Sequence, residues 1–238
     1  MVDIKIKKKV FQKLMHNPGI SFNQLWAKEG ESNTFSYHLK QLIEENLIEK
    51  KLDGYYLTLE GKKIAISLDG SSGELKKQPL ISILMVVFNN EGQILLYQRL
   101  KEPFFGIYGF PGAKLDFGET VLDCAKRELF EETNLSCDFE EVGLLNYSTY
   151  EDKNLAYHHV QFVIKCTNPR GILKEVDREG NFSWASKEDF LSKEQFPDNK
   201  YTLEYIEKKK YFRVEMKRYI ENNKFKKIEI ISEKLFEL

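Results

Sequence analysis

Five residues carry the strongest chemical signal in this chain of 238: Glu119, Arg127, Glu128, Glu131 and Glu132. On a helix, positions three and four apart share a face, so Glu128, Glu131 and Glu132 stand together within about two turns. Carboxylates crowded in this way repel one another, and their pKa values rise unless something positive lies among them. A hard divalent cation that prefers oxygen ligands suits the group, Mg2+ first and Mn2+ second. The bland reading is plain helix support, because Asp123 to Arg127 and Arg127 to Glu131 are i,i+4 charge pairs of the kind any solvated helix uses. Taken alone, the spacing favours that reading. What precedes the helix reverses it.

The elements that must hold these residues begin after Pro79. Leu80 to Phe88 reads as an apolar strand, Asn89 to Gly92 as a turn and Gln93 to Gln98 as the returning strand, so a hairpin is expected to open this part. The stretch FFGIYGFPGAKLDFGE follows, its glycines permitting a tightly wound loop, and Thr120 then starts a helix running to about Glu132.

From Ala113 to Leu135 the chain resembles the Nudix box, Gly-x5-Glu-x7-Arg-Glu-U-x-Glu-Glu-x-Gly-U, with U a bulky aliphatic residue. Seven of nine defined positions match, Glu119, Arg127, Glu128, Leu129, Glu131, Glu132 and Leu135, and every spacing is kept. Ala113 and Asn134 stand where the family has Gly. Asn tolerates the left-handed conformation that ends many helices. If the loop needs a positive φ at Ala113, the cost is about 1 kcal/mol and the metal site is perturbed. The flanks agree: Tyr108-Gly109-Phe110-Pro111-Gly112 resembles the family's aromatic-x-x-Pro-Gly lead-in, and Trp184 the aromatic residue after the last main strand. The likeness spans about residues 79–200.

The resemblance implies an α/β/α sandwich with a mixed sheet, carrying a magnesium-dependent hydrolase. By position it gives Glu128, Glu131 and Glu132 as metal ligands, the Gly112 carbonyl as a further ligand, Glu119 as supporting or joining them, and Arg127 as orienting the glutamates. Ions held there neutralise a diphosphate and lower the pKa of a bound water, so a nucleoside diphosphate linked to some further group is hydrolysed. Removal of the water's proton stays open among Glu131, Glu132, Glu175 and Asp177. The expected nucleotide-binding residues are Arg99, at a position where many members contact a phosphate, with Phe105, Tyr108, Lys114 and Tyr150. Phe104, Tyr147, Tyr157, His158 and His159 are further aromatic candidates near the mouth. Strand alternation puts His159, Gln161 and Val163 on one face and Val160, Phe162 and Ile164 on the other, so only one of the two histidines faces the site. ADP-ribose, dinucleoside polyphosphates and nucleoside triphosphates are the substrate classes; Tyr150 lies near where ADP-ribose hydrolases often carry proline.

Ahead of this region, Val10, Leu14 and Met15 mark a helix ending at Asn17-Pro18-Gly19, and Ser21 caps a second containing Phe22, Leu25 and Trp26. A third follows Gly30 with Phe35, Leu39, Leu42 and Ile43 at helical spacing. Leu47 to Leu52 and Tyr55 to Leu59 read as strands joined by Asp53-Gly54, a strong hairpin signal. NPGISFNQL, SYHLKQLIEENLIEK and GYYLTLEGKKIA resemble the winged helix-turn-helix domains of ArsR-type regulators. That resemblance implies double-stranded DNA as a partner, with Asn33, Thr34, Tyr37 and Lys40 facing bases or phosphates. A lone histidine such as His38, between core positions, reads as packed rather than catalytic.

The fold class expected is therefore α+β in two domains. The winged helix-turn-helix occupies 1–68, a Gly, Ser and Lys-rich linker 69–78, the Nudix sandwich 79–200, and a helical and strand extension 201–238. In that tail, TLEYIEKKKYFRVEMKRYIENN has helical spacing and KKIEIISEKLF reads as a strand, expected to pack on the winged helix or a second subunit of a homodimer. Net charge is -1 overall, with the middle segment acidic, which suits cation binding and gives no strongly basic nucleic-acid binder. Cys124, Cys137 and Cys166 read as free thiols of a reducing compartment. The lack of a signal peptide or long apolar run makes a cytoplasmic protein the expectation. The competing class is a regulator whose Nudix fold senses a nucleotide without cleaving it; four intact glutamates favour activity.

Overall fold

The computed structural model describes residues 4–28, 30–222 and 224–237. The chain divides into two compact units, Met1–Lys77 and Gln78–Leu238.

In the first unit, helices α1 (Ile4–His16), α2 (Phe22–Trp26) and α3 (Ser32–Glu44) precede a short hairpin of β1 (Ile48–Lys50) and β2 (Tyr55–Leu57), and α4 (Leu59–Ile66) follows. Ser21 and Gln24 close a reciprocal capping box on α2. Val10, Leu14, Leu25, Phe35, Leu39, Leu42 and Ile48 form the core. His38 is buried and bonded to Gln41, as expected of a packed histidine. The second strand was expected to reach Leu59, but it stops at Leu57 because Thr58 caps α4, its hydroxyl accepting from Gly61 N–H at 3.0 Å. Gly61 disguises this helix in the sequence. It is required there because a Cβ would lie 1.9 Å from the Leu47 carbonyl oxygen.

The stretch expected as a linker is folded against α1 as far as Glu74. Gln12 Nε2 donates to the Ser71 carbonyl at 2.7 Å, Lys8 pairs with Glu74 at 3.2 Å, and Asp69 accepts from the Ser71 and Ser72 amides. Gly and Ser here serve a tight turn rather than a flexible tether.

The second unit contains β3 (Leu80–Val87), β4 (Ile94–Arg99), β5 (Tyr108–Gly109), β6 (Gly112–Lys114), α5 (Val121–Thr133), β7 (Ser136–Glu151), β8 (Asn154–Arg170) and β9 (Gly180–Ala185), then α6 (Lys187–Ser192), α7 (Asn199–Glu207), β10 (Tyr211–Glu221) and β11 (Lys224–Phe236). A mixed six-stranded sheet runs in the order β11-β10-β7-β8-β3-β6, beside a three-stranded sheet β5-β4-β9. α5 covers one core through Cys124, Ala125 and Leu129; α6 and α7 cover the other through Phe190, Leu203 and Ile206. Helices thus shield both faces, which explains why β3 is a nearly unbroken apolar run.

Two expectations fail here. β3 and β4 do not pair as a ladder: among the described residues an isolated bridge, Phe88–Ile94, joins the ends of the two runs, and β4 pairs with β5 and β9. Its alternating side chains serve both cores, Ile94 and Leu96 one and Leu95 and Tyr97 the other, so crossing to the second sheet buries both its faces. Second, residues 211–221 are not helical: they form β10, parallel to β7. Phe212, Val214, Met216, Arg218 and Ile220 alternate inward, a period-two pattern that the helical run of α7 masked. The tail completes the sheet of its own unit. Among the described residues, no helix is long and apolar enough to cross a membrane.

Candidate functional site

α5 exists because Thr120 caps it, accepting from Asp123 N–H at 3.2 Å, and because Asn134 ends it at φ +61°. One face buries Cys124, Ala125 and Leu129, which leaves Arg127, Glu128, Glu131 and Glu132 at its margin. Arg127 grips Glu119 with two parallel bonds, Nε to Oε1 at 2.8 Å and Nη2 to Oε2 at 2.9 Å. Its Nη1 reaches Glu128 at 2.7 Å and Glu131 at 3.4 Å. Such a fork binds a carboxylate with fixed geometry. It draws Glu119 down to a pKa of about 2. Glu132 goes the other way, raised to about 7 by burial and by Glu128, with Lys101 opposing.

Among the described residues, no three acidic, His or Cys side chains converge closely enough to hold a metal ion. Arg127 occupies Glu119, Glu128 and Glu131 in this arrangement. The donors nonetheless fit a hard cation: the carboxylates of Glu128, Glu131 and Glu132 lie on one helix margin, Glu119 is held beside them by Arg127, and Glu132 is raised by burial and by the charge of Glu128. Gly112 lies exposed in β6, where a Cβ would come within 2.8 Å of the Ile83 carbonyl oxygen. Ala113 is not strained: it takes an extended conformation in β6 opposite Ile83, so the feared positive φ does not arise.

The expected nucleotide residues are scattered. Phe105 is 60% exposed, Tyr108 is half-buried in β5, and Lys114 is exposed across from Ser82. Tyr150 stacks on Tyr219 near the end of β7, whereas Cys137, near its start, packs with α5, so these lie at opposite ends of one long strand. Arg99 donates to the carbonyls of Pro103 at 2.6 Å and Glu102 at 3.1 Å. Asp177 is paired with Lys174, while Glu175 is exposed. Trp184 lines a cavity of about 210 Å³ with Asn89, Leu135 and Leu173, none of them in the carboxylate group.

Opposite α5, on the face covered by α6 and α7, lies a buried polar group that sequence reasoning missed. Arg218, 4% exposed, pairs with Asp198, 2% exposed, at 2.9 Å. Its guanidinium lies 3.4 Å from the centre of the Tyr147 ring, which stacks on His159. Asp198 Oδ1, Asn199 Nδ2, Arg218 Nε and His159 Nδ1 are buried without hydrogen-bond partners. Each such atom costs about 1–3 kcal/mol, so a set of four marks a place completed by a polar ligand or water. Asp198 and Asn199 stand at the start of α7, after Phe196-Pro197, and the helical reading of residues 211–221 hid Arg218 as the partner of Asp198.

His159 is held down to about 4, by burial first and then by Arg218, His158 and Lys114. Unfolded chains take up this proton near the ordinary value of 6.5, before the folded protein does. Stability from this group is therefore complete above pH 6.5 and is lost as the pH falls toward 4. Urea midpoints measured from pH 7 to 4 should fall less in His159→Asn than in the parent; equal slopes would refute the burial of a neutral ring.

With the geometry in hand, comparison with known proteins is specific. The NUDIX domain model matches residues 78–206, more than half of the chain. An ADP-ribose pyrophosphatase of Methanocaldococcus jannaschii is 34% identical over 116 residues, covering 49% of this chain and 67% of that protein. An 8-oxo-dGTP diphosphatase of Haemophilus influenzae is 33% identical over 122 residues, covering 50% and 84%. The mouse 8-oxo-dGDP phosphatase NUDT18 is 29% identical over 100 residues, covering 42% of this chain, and the match spans only 29% of that longer protein. In fold, the solved MutT protein of Bacillus halodurans superposes with a TM-score of 0.52 at 22% identity, covering 66% of this chain and 97% of that one. The NUDIX domain of Shewanella oneidensis NrtR, solved with ADP ribose, gives 0.50 at 19%, covering 64% and 99%. The matched span runs from the start of the second unit through α7 and takes in the whole Arg127 network: this chain belongs to the NUDIX domain family.

Proposed function

We propose that the second unit is a magnesium-dependent hydrolase that cleaves the diphosphate of a nucleoside diphosphate derivative. The observation that carries this is Arg127, which ties Glu119, ahead of α5, to Glu128 and Glu131 on the helix margin beside the partly buried Glu132. Glu128, Glu131 and Glu132, with the Gly112 carbonyl, would hold Mg2+ or Mn2+, and Glu119 supports them. When bound, the ion supplies charge neutralisation and a more acidic water. The chain's own residues do the rest. Arg127 fixes the directions of three carboxylates, and Glu131 or Glu132 takes the water's proton. Away from the carboxylates, the unpaired atoms of Asp198, Asn199 and Arg218 offer an acceptor and two donors to a polar group of the substrate. ADP-ribose, dinucleoside polyphosphates and nucleoside triphosphates all present the required diphosphate and base. A nucleotide panel tests the reading: products should form with Mg2+ and vanish with a chelator. No turnover of any member in Mg2+ or Mn2+ would refute it.

A second reading adds the first unit. On α3, Asn33, Thr34, Tyr37 and Lys40 are all exposed while Phe35, His38, Leu39 and Leu42 are buried, which leaves a polar helix face free to enter a DNA groove. The unit then acts as a winged helix-turn-helix in a homodimer, and nucleotide in the second unit modulates transcription. Gel shifts on genomic fragments with and without nucleotide test this; identical shifts under both conditions would sink the sensor role.

A further inference from the structure

Helix α4 is inverted for a surface helix. At about 100° per residue, Gly61 and Ala65 share one face and Leu59 and Ile66 the opposite one. Gly61 and Ala65 are buried, whereas Leu59 and Ile66 are 70% and 80% exposed, with Ile64 at the margin at 39%. All three large aliphatic side chains of this eight-residue helix thus face outward, and its own core receives the two smallest residues. Close docking explains the small ones, since Gly61 lies against the Leu47 carbonyl where no Cβ fits. It does not explain the large ones. A single exposed aliphatic residue is ordinary, but three on about two turns, with none turned inward, are surplus to the fold of the unit.

Beside this face runs a groove of about 500 Å³ between α1, the β1–β2 hairpin and α4. Leu14, Met15 and Leu57 give it an apolar floor, and Ile66 stands on its rim with Glu49 and Lys62. Glu49 is engaged with Lys51 at 3.0 Å, but both side chains are exposed and such a pair is weak. One surface therefore offers a protruding aliphatic group next to an apolar hollow, and a negative charge next to a positive one. Contact about a two-fold axis requires a patch that complements itself, and this one does so in shape and in charge. A small ligand filling the hollow would leave Leu59 and Ile66 in water. The polar face of α3 stays clear, since Asn33, Thr34, Tyr37 and Lys40 are not among the residues that line the groove.

We infer that this face of the first unit is the contact between two copies of the chain, with Ile66 of each copy seated in the groove of the other and Glu49 paired with the partner's Lys62. This rests on the homodimer of the second reading. Leu59 continues the apolar contact along α4, and both α3 faces remain free for DNA.

Sedimentation velocity of the full chain over a dilution series tests this. The parent should dimerise, and Ile66→Glu should raise the dissociation constant by about 30-fold or more, the loss expected of a buried anchor residue. Its far-ultraviolet circular dichroism should match the parent's, because Ile66 is exposed in the single chain. Glu49→Lys and Lys62→Glu should each weaken the dimer, and the two together should recover most of the loss. Failure of that recovery would overturn the pairing of Glu49 with Lys62. Ile231→Glu, on the outer strand β11 of the second unit, should leave the dimer unchanged. A dimeric parent unmoved by Ile66→Glu, or broken by Ile231→Glu instead, would overturn the assignment and leave the homodimer standing. A parent that is monomeric at every concentration would overturn both.

Discussion

Replacing Glu132 with glutamine should lower kcat for nucleotide hydrolysis by about 10²–10⁴-fold, the range lost when a positioned acid-base or ligand carboxylate is removed. The same variant should leave the melting temperature of the metal-free protein unchanged or higher. The two effects diverge for one reason. Burial and the charge of Glu128 raise the Glu132 carboxyl from 4.5 to about 7, so in the metal-free fold its ionised form is unwelcome. The unfolded chain releases this proton first, and the group therefore subtracts stability as the pH rises from 4.5 to about 7. Glutamine cannot ionise, so the subtraction disappears, and with it the anion that catalysis needs. Melting curves at pH 5 and 8 alongside kinetics in Mg2+ check both halves. A drop of many degrees with glutamine would mean that Glu132 is a structural residue, and normal kcat would remove it from the site.

Arg127→Lys should cost about 10²-fold in kcat/KM, and Arg127→Met more, with a fall in melting temperature of several degrees in both. Arg127 bonds Glu119 through two nitrogens while a third reaches Glu128 and Glu131. Lysine keeps the charge but has no rigid fork, so it can satisfy one carboxylate at a time. With methionine, three carboxylates face one another without a cation, and removing one partner of such a network exposes the penalty of the others. The side chain is 32% exposed, so screening keeps the stability loss to about 1–3 kcal/mol. Excess Mg2+ should recover part of the melting temperature in Arg127→Met, by supplying the missing positive charge. Full activity in Arg127→Lys would show that charge alone suffices and that orientation plays no part.

How much of this was legible in the residues differs from element to element. The margin of α5 was readable because three carboxylates and an arginine within six residues obey the helix period, and because Thr120 and Asn134 signal its two ends locally. The first three helices were readable for the same reason. β10 was not, since Phe212, Met216 and Tyr219 also satisfy a helical period and follow a true helix without a breaking Gly or Pro. Nor was α4, whose Gly61 looks like a turn residue until the Leu47 carbonyl is seen against it.

The amino-acid order by itself determined the acidic helix margin, because helix periodicity is a property of neighbours along the chain, while Glu119 entered through the resemblance to the Nudix box. Only the tertiary structure decided that Arg99 closes a loop through the carbonyls of Pro103 and Glu102, and that Arg218 meets Asp198 and Tyr147 in a buried group. Those pairings depend on β4 crossing to the second sheet and on β10 running parallel to β7. Strand order of that kind is set by how two cores are jointly buried, and no local pattern records it. The carboxylates of α5 were therefore visible in one dimension, whereas the buried group around Arg218 required three.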